Sequence, residues 1–397
     1  MTPPARTPDK APASATPRRT GRTRRGWVWV AGLGTAFVLV LGSPFSPPAP
    51  NAPGPIPGSP GTPSAAADPL SPRSGYLADA AGLAERARLA RTSVEPYASA
   101  MADLLAWAER AVDRAPRPVE RLRIDGTEGP FVDDTAAAYG LALTWTVTGQ
   151  ERYAEAAART IMAWVDTTTS TERTCPDDGS CQTSLIISRT VAGFVFAADL
   201  LQGSAFLAEA DEERLRRWLR DLMLPTASEL DNNWGDAGTF SRIVLTDYLG
   251  DRDGFDAAIG KWRQLMDLVA PDGHIPAEVA RGRAGLGYTQ EALDYKVAAA
   301  EIAGRRAVDL WTYVGAEGGS LKLAVDYLAR YMTDDSDWPW SNRVRRRAPS
   351  AVWELAYARW LDPAYEPLVE ERRPHGHLGH SAIRWTTLTN GVPFGGS

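Results

Sequence analysis

The chain has 397 residues, of which 44% are hydrophobic and 23% charged, an ordinary balance for a globular protein that buries a large core. Residues 1–25 carry a charge of +6 and the whole chain carries −6, so residues 26–397 carry −12. A body that acidic argues against general nucleic-acid binding, which needs a broad basic surface. A few arginines focused in a cleft can still hold an anionic ligand.

An uncharged apolar segment, "WVWVAGLGTAFVLVLG" (Trp27 to Gly42), directly follows the basic residues 1–25. It is long for the apolar region of a signal peptide and slightly short for a membrane-spanning helix. We expect residues 26–43 to be an uncleaved anchor or a cleaved signal, and favour the anchor because no small-residue cleavage site follows closely. In both cases residues 1–25 stay in the cytoplasm and the rest is extracytoplasmic.

Residues 44–72 are rich in Pro, Gly, Ser and Ala and predict an extended linker, followed by one helical domain over 73–397. Any strand is confined to the C-terminal "SAIRWTTLTNGVPFGGS". The periodicity of apolar residues predicts helices over 77–91, 94–114, 132–148, 150–167, 183–202, 208–229, 234–249, 252–269, 287–303, 319–332 and 349–361.

Two segments share one plan in which a helix ends at a glycine and the next helix opens at an aromatic residue. Gly149 precedes Tyr153, and Gly250 precedes Phe255. Because glycine suits a left-handed helix cap, the short connections predict antiparallel helix pairs. Successive pairs that each bury one apolar face form a solenoid or a closed toroid, with helix starts and loops gathered at its mouth.

The two cysteines, Cys175 and Cys181, bracket the polar turn "PDDGS". A metal pair would need further Cys or His residues nearby, and none follows in sequence. We therefore predict a small loop-closing disulfide, which agrees with export to an oxidising compartment.

The stretch "LDNNWGDAG" places Asn232 and Asn233 where a helix begins. Asparagine is a favoured N-cap, so capping explains one of the two residues. A pair leaves the second amide free to point elsewhere.

A second polar stretch, "APDGHIPAEVARGRAGLGYTQEAL", crosses from a loop into a helix. Glu278, Arg281 and Arg283 precede the junction and Tyr288 follows it. In one interpretation Arg281 pairs with a surface glutamate and Tyr288 packs on a neighbouring helix. In the other, Arg281 holds a substrate carboxylate or favours the ionised form of the phenol, which leaves Tyr288 as the proton-transfer group.

Together these stretches resemble the alginate lyase superfamily of polysaccharide lyases, whose motif is Asn-Asn-His-Gly followed by Asp-Gly…Pro…Glu…Arg and a Tyr seven residues later. Asn233, Arg281 and Tyr288 match that motif, and the closing "IRWTTLTNG" is similar to the end of such domains. The resemblance implies an all-α, incomplete (α/α) toroid of antiparallel helix hairpins, commonly exported. It also implies catalytic roles for the three matched residues.

Trp234 stands where the resemblance places a histidine that helps to neutralise the uronate carboxylate or to move a proton. An indole has one N–H donor and does not titrate near neutrality. His274, in the approach loop, is the nearest substitute in sequence and is counted with the catalytic residues. An exposed loop histidine is the alternative.

Two further segments carry residues that could bind a sugar, an anionic group or a metal ion. "SDWPWSNRVRRR" offers Trp338 and Trp340 for stacking on sugar rings and arginines for anionic groups, or it is a surface loop with a solvated basic run. His375, His377 and His380 have a spacing that can converge on zinc, but no regular element or carboxylate accompanies them, which favours an exposed turn. No metal site is predicted.

The resemblance implies an exported lyase that cleaves a uronic-acid polymer, most plausibly alginate, by β-elimination without a cofactor and as a monomer. A toroidal glycoside hydrolase, or an inactive anchored glycan-binding protein, is the alternative. The expected substrate-binding residues are Asn232, Trp234, Glu278, Arg283, Trp338 and Trp340.

Overall fold

The computed structural model of the protein describes residues 75–126, 129–173, 181–377 and 379–395. The chain divides into two units, Met1–Pro63 and Ser64–Ser397, and every described residue belongs to the second. The predicted cytoplasmic segment 1–25, the apolar segment 26–43 and the linker 44–72 lie outside the described residues. The predicted disulfide also lies outside them, because Cys175 is not described.

Helices dominate this unit, as the sequence predicts. Within the described residues the α-helices are α1 (Ala80–Arg91), α2 (Tyr97–Ala111), α3 (Pro130–Thr148), α4 (Glu151–Thr167), α5 (Thr183–Thr190), α6 (Ala192–Leu201), α7 (Glu209–Trp218), α8 (Asn233–Leu249), α9 (Arg252–Asp267), α10 (Pro276–Val279), α11 (Gly285–Arg305), α12 (Leu321–Thr333), α13 (Ala351–Trp360), α14 (Glu366–Glu370) and α15 (Thr386–Thr389). A π turn (Leu219–Met223) and a 3-10 turn (Leu224–Thr226) extend α7, and further 3-10 turns cover Gly282–Ala284 and Pro363–Tyr365.

Neighbouring helices pair as α1–α2, α3–α4 and α8–α9. The α3–α4 and α8–α9 connections turn at Gly149 and Gly250, which adopt the left-handed conformation with φ of 72° and 68°. The glycine-capped helix pairs predicted from sequence are therefore confirmed.

The prediction of β structure near the C terminus is wrong. The described part of that segment contains α15 and no strand, whereas the two short strands, β1 (Arg121–Leu122) and β2 (Ser170–Thr171), pair in parallel elsewhere. The threonines of this segment are buried, and the hydroxyl of Thr386 contacts the His375 ring while that of Thr387 donates to the Glu354 carboxylate. Their hydroxyl groups make buried hydrogen bonds, which explains why threonines occur in a segment that does not form a strand.

Of the described residues, one stretch, Thr183–Leu201, is long and apolar enough to cross a membrane. Its apolar window is 83% buried inside the protein, because α6 packs against α3, α4 and α8. It is therefore a core element, and its apolar character follows from burial on nearly all sides.

Two buried ion pairs connect α8 with α11. One is made by Lys296 within α11, and the other by Arg306, the C-cap residue of that helix. Lys296 on α11 contacts Asp236 in the first turn of α8 at 2.7 Å. At the other end of these helices, Arg306 donates two hydrogen bonds to Asp247, at 2.8 and 2.7 Å. The pairs fix α8 against α11, and the starts of these two helices carry the polar residues predicted from sequence.

Candidate active site

The two asparagines at the start of α8 have different tasks. Asn232 is the N-cap, and its side-chain oxygen accepts a hydrogen bond from the backbone N–H of Trp234 at 2.9 Å. Asn233 is fully buried and turns toward the start of α11. As the sequence suggests, one of the two asparagines, Asn232, caps the helix, and the side chain of the other, Asn233, contacts residues outside it.

The chain reverses between α10 and α11, and this reversal places Arg281 beside Tyr288. Gly282 has a φ of +57°, a left-handed conformation that other residues adopt at a cost. Arg281 stands just before this turn, and Tyr288 lies in the first turn of α11. The Arg281 guanidinium carbon lies 4.2 Å from the centre of the Tyr288 ring, a cation–π geometry.

Asn233 connects this pair to two glutamates. Its side-chain oxygen accepts from Arg281 Nη2 at 3.2 Å, and its Nδ2 donates to Glu291 Oε1 at 3.0 Å. The Asn233 backbone N–H donates to Glu278 Oε1 at 2.7 Å. Because both ends of the buried amide are occupied, Asn233 positions Arg281 in this structure. The prediction that it donates directly to a substrate is not supported by this geometry.

Glu278 is fully buried beneath Arg281. Burial raises the pKa of Glu278, and the hydrogen bond from Asn233 and the charge of Arg281, whose Nε lies 3.5 Å away, oppose the increase. A carboxylate without exposure does not reach a ligand in the cleft. Its predicted contact with substrate is not supported, and its role here is to hold Arg281.

Three further residues complete the cluster, and the sequence did not place them there, although the basic run that contains Arg347 was a candidate for binding anionic groups. Glu291 lies three residues after Tyr288 and so on the same side of α11, a spacing that could have indicated it. It forms ion pairs with Arg189 of α5 and with Arg347, whose Nη1 lies 2.8 Å from Glu291 Oε2. Burial lowers the pKa of Arg189. No local pattern singles out Arg189, and Arg347 is one of several arginines in a basic run.

Tyr288 is the residue of the cluster whose hydroxyl group has no hydrogen-bond partner among the described residues. Its ring lies between two cations, since the guanidinium carbon of Arg347 is 4.8 Å from the ring centre and that of Arg281 is 4.2 Å away. The residue is half-buried, and none of the described residues hydrogen-bonds to its hydroxyl. The phenol is therefore free to exchange a proton with a ligand.

His274 lies in a separate aromatic group. Its Nδ1 is 2.6 Å from Asp272 Oδ1, and its ring lies 5.1 Å from that of Trp340 and 6.1 Å from that of Tyr327. None of these contacts reaches the Asn233, Arg281 and Tyr288 cluster. The structure thus does not support His274 as the replacement for the missing histidine.

The other predicted ligand residues differ in exposure. Trp338 is only 4% exposed, donates to the Gly282 carbonyl at 3.4 Å and packs on tyrosines of α12, so its ring is not open for stacking. Trp340 is 41% exposed. Trp234 is half-buried, and Arg283 is exposed. Trp340, Trp234 and Arg283 remain candidates for contact with a ligand.

Two cavities share Gly379 and His380, and the smaller one borders the cluster. The smaller, of about 220 Å³, is lined by Arg189, Glu291 and Arg347 among others. The larger, of about 820 Å³, is lined by Trp107, Arg110, Arg114, Asp133, His377 and Arg384. Arginines thus line both cavities of a chain whose net charge is negative.

The three C-terminal histidines do not form a metal site. His375 is buried, its Nδ1 contacts the Thr386 hydroxyl at 2.9 Å, and burial lowers its pKa to about 3. The ring of His377 lies 6.2 Å from that of Trp107, nearly parallel to it. Among the described residues no group of His, Cys, Asp and Glu is arranged to hold a metal ion. His377 and His380 line the larger cavity instead.

Comparison with known proteins identifies the family of the chain. Residues 78–338 match the family described as alginate lyase, so the chain belongs to the alginate lyase family. Its family and fold are those of a polysaccharide lyase. No curated protein matches the sequence.

Solved structures show the same helical fold. An alginate lyase from Bacteroides ovatus is similar at a TM-score of 0.62 and 18% identity, covering 80% of this chain and 99% of that one. Alginate lyase A1-III from Sphingomonas species A1 is similar at a TM-score of 0.62 and 17% identity, covering 84% and 100%. A variant of A1-III in complex with a tetrasaccharide is similar at a TM-score of 0.64 and 15% identity, covering 84% and 100%.

Proposed function

We propose that the protein is an exported lyase that cleaves a uronic-acid polymer, namely alginate or polymannuronate, by β-elimination. One observation carries the proposal: Arg281, held by Asn233 and Glu278, lies on the ring of a tyrosine whose hydroxyl has no partner among the described residues. The tetrasaccharide bound to the similar A1-III variant supports a saccharide ligand.

The β-elimination requires two things of the site, neutralisation of the uronate carboxylate and transfer of a proton. The C5 proton of a uronate is α to the carboxylate and only weakly acidic, so its removal requires that the charge of the carboxylate be offset. Arg281 supplies that charge and donates hydrogen bonds as negative charge develops on the carboxylate oxygens. The family's histidine is absent here, and Arg281 is held in place by the buried amide of Asn233.

Tyr288 moves the proton. Its ionised oxygen takes the C5 proton, the electron pair of that bond forms the C4–C5 double bond, and the bond from C4 to the glycosidic oxygen breaks. The phenol then returns the proton to the leaving oxygen. One phenol performs both transfers only when the proton and the leaving group lie on the same face of the ring, as in mannuronate, which is why we propose that polymer first.

The charges of the cleft support an anionic polymer and argue against a two-carboxylate hydrolase. Arg110, Arg114 and Arg384 line the larger cavity. A hydrolase needs two carboxyl groups that can reach the sugar. Asp133 lines the larger cavity but pairs with Arg114 and Arg117. Asp134, Asp236 and Glu278 are buried in ion pairs. Glu291 is paired with two arginines.

Export remains part of the proposal. It is supported by the basic residues 1–25, by the uncharged Trp27–Gly42 segment and by the predicted disulfide, which lie wholly or partly outside the described residues. The enzyme would then meet its polymer outside the cytoplasm.

The test is to incubate the full chain with polymannuronate, polyguluronate, glucuronan and hyaluronan and to follow the ultraviolet absorbance of the conjugated product. We expect absorbance to rise with polymannuronate, and Tyr288→Phe to reduce the rate by roughly 10²–10⁴-fold, the usual contribution of a general acid–base group. Tyr313→Phe, which removes a hydroxyl bonded to Asp267, is the matched control.

Other outcomes contradict the proposal in distinct ways. New reducing ends without ultraviolet absorbance would indicate hydrolysis. Polymer binding without any product would indicate a glycan-binding protein. Full activity in Tyr288→Phe would remove the proposed role of that residue.

A further inference from the structure

The second guanidinium on the Tyr288 ring belongs to Arg347, which lies in the basic run after Trp340 and outside the residues that match the family. Arg347 faces this ring together with Arg281, on a chain that has Trp234 in the position where the family motif has a histidine. An indole cannot carry a positive charge near neutral pH. The chain therefore lacks the histidine of the family's motif and has a second arginine beside the same phenol.

The position of Arg347 is built into the fold. Its loop is fastened to the site at two points, because the Arg345 backbone N–H donates to the Arg283 carbonyl at 2.7 Å and Gln290 Nε2 donates to the Ala348 carbonyl at 2.9 Å. Gly287 provides the space. A Cβ at position 287 would lie only 2.8 Å from Arg347 Nε, so a larger residue there would displace the guanidinium.

The charges of the cluster leave Arg347 available for a ligand. Three guanidinium groups, those of Arg189, Arg281 and Arg347, face the carboxylates of Glu278 and Glu291. A third acid, Asp294, lines the same cavity, but burial raises its pKa to about 7, so positive charge is in excess. Glu291 already has a partner in the buried Arg189. The Arg347 side chain is 44% exposed and lines the smaller cavity.

We propose that Arg347 is the second residue that neutralises the uronate carboxylate, and that it supplies the positive charge that Trp234 cannot. The inference rests on the proposed function. As the C5 proton passes to the Tyr288 oxygen, negative charge develops on the carboxylate oxygens, and N–H groups of Arg281 and Arg347 donate to them. No bond to Arg347 forms or breaks, and the guanidinium keeps its protons throughout.

The experiment compares Arg347→Ala with Arg346→Ala in the full chain acting on polymannuronate. Arg346 is a matched control, because it lies next in sequence but its guanidinium binds Glu371 and the Met332 carbonyl. We expect Arg347→Ala to lower kcat/KM by roughly 10²–10³-fold, the effect of removing one donor to a developing oxyanion. The control variant should retain activity close to that of the wild type.

Two readouts separate a chemical role from a structural one. Added methylguanidinium should restore at least roughly tenfold activity to Arg347→Ala, because it can occupy the vacated space beside Gly287 and carry the same charge. Arg347→Lys should keep more activity than the alanine variant. A loss below roughly threefold in Arg347→Ala overturns the inference. So does a large loss that neither methylguanidinium nor lysine reduces.

The inference and the proposed function can fail separately. If the wild-type chain releases no unsaturated product from any of the four polymers, the proposed function fails, and Arg347 is then judged by calorimetric binding of a mannuronate oligosaccharide. Binding at least roughly tenfold weaker in Arg347→Ala than in Arg346→Ala supports the carboxylate contact. Equal binding by the two variants overturns it.

Discussion

The buried ion pair between Asp236 and Lys296 gives a sharp test, because it joins the two helices that carry the site. The two side chains are 3% and 1% exposed, and their charged atoms lie 2.7 Å apart. Removing one partner leaves the other charge buried without compensation, which costs about 3–5 kcal/mol. For a domain of this size that corresponds to a decrease in Tm of roughly 4–7 °C.

We expect Asp236→Asn and Lys296→Met each to show this loss in thermal and urea unfolding of the full chain. The double variant Asp236→Leu/Lys296→Met, which buries apolar groups instead, should unfold within about 1 kcal/mol of the wild type or be more stable. If each single variant costs less than about 1 kcal/mol, or if the two losses add in the double variant, the pair does not hold α8 against α11 as described.

The same pair predicts a pH dependence. Burial raises the pKa of Asp236, and Lys296 opposes that increase. Without Lys296, the folded state retains a proton that the unfolded state releases above about pH 4, so stability falls as the pH rises. The destabilisation by Lys296→Met should therefore be larger at pH 8 than at pH 5. An equal loss at both pH values would contradict this reasoning.

Two further outcomes are expected. Burial lowers the pKa of His375 to about 3. Below about pH 6.5 the unfolded state therefore binds a proton that the folded state does not. We expect this group to lower the free energy of unfolding of the wild type by roughly 2 kcal/mol between pH 7 and pH 5. Urea midpoints of His375→Gln should fall less than those of the wild type over that interval, and an equal fall would refute the assignment. Trp107→Ala should lower kcat/KM about five- to tenfold on long polymers and less on short oligosaccharides, because its ring lines the larger cavity, whereas Trp107→Phe should retain most activity. Kinetics on oligosaccharides of increasing length would check this, and a loss independent of length would contradict it.

Apart from the C-terminal segment, the errors in the sequence predictions concern contacts rather than elements. His274 was chosen because it is close to Arg281 in sequence, but a side chain near a turn can point to either side of it, and this one joins Trp340 and Asp272. Trp338 and Trp340 look equivalent in sequence, yet only the second is exposed. Exposure depends on what packs above a residue, which a single segment does not specify.

The sequence by itself determined the helices, the left-handed caps at Gly149 and Gly250, and the presence of one capping asparagine at the start of α8. It also indicated that Arg281 and Tyr288 flank one junction between a loop and a helix. These features depend on hydrophobic periodicity and on residues a few positions apart, whose relative placement the helix geometry dictates. The tertiary structure alone decided that Asn233 reaches Arg281 across 48 positions and that Glu291 reaches Arg347 across 56. Those contacts arise because the packing of α5, α8 and α11 and the loop before α13 brings distant charges into one place. Their energies depend on that burial.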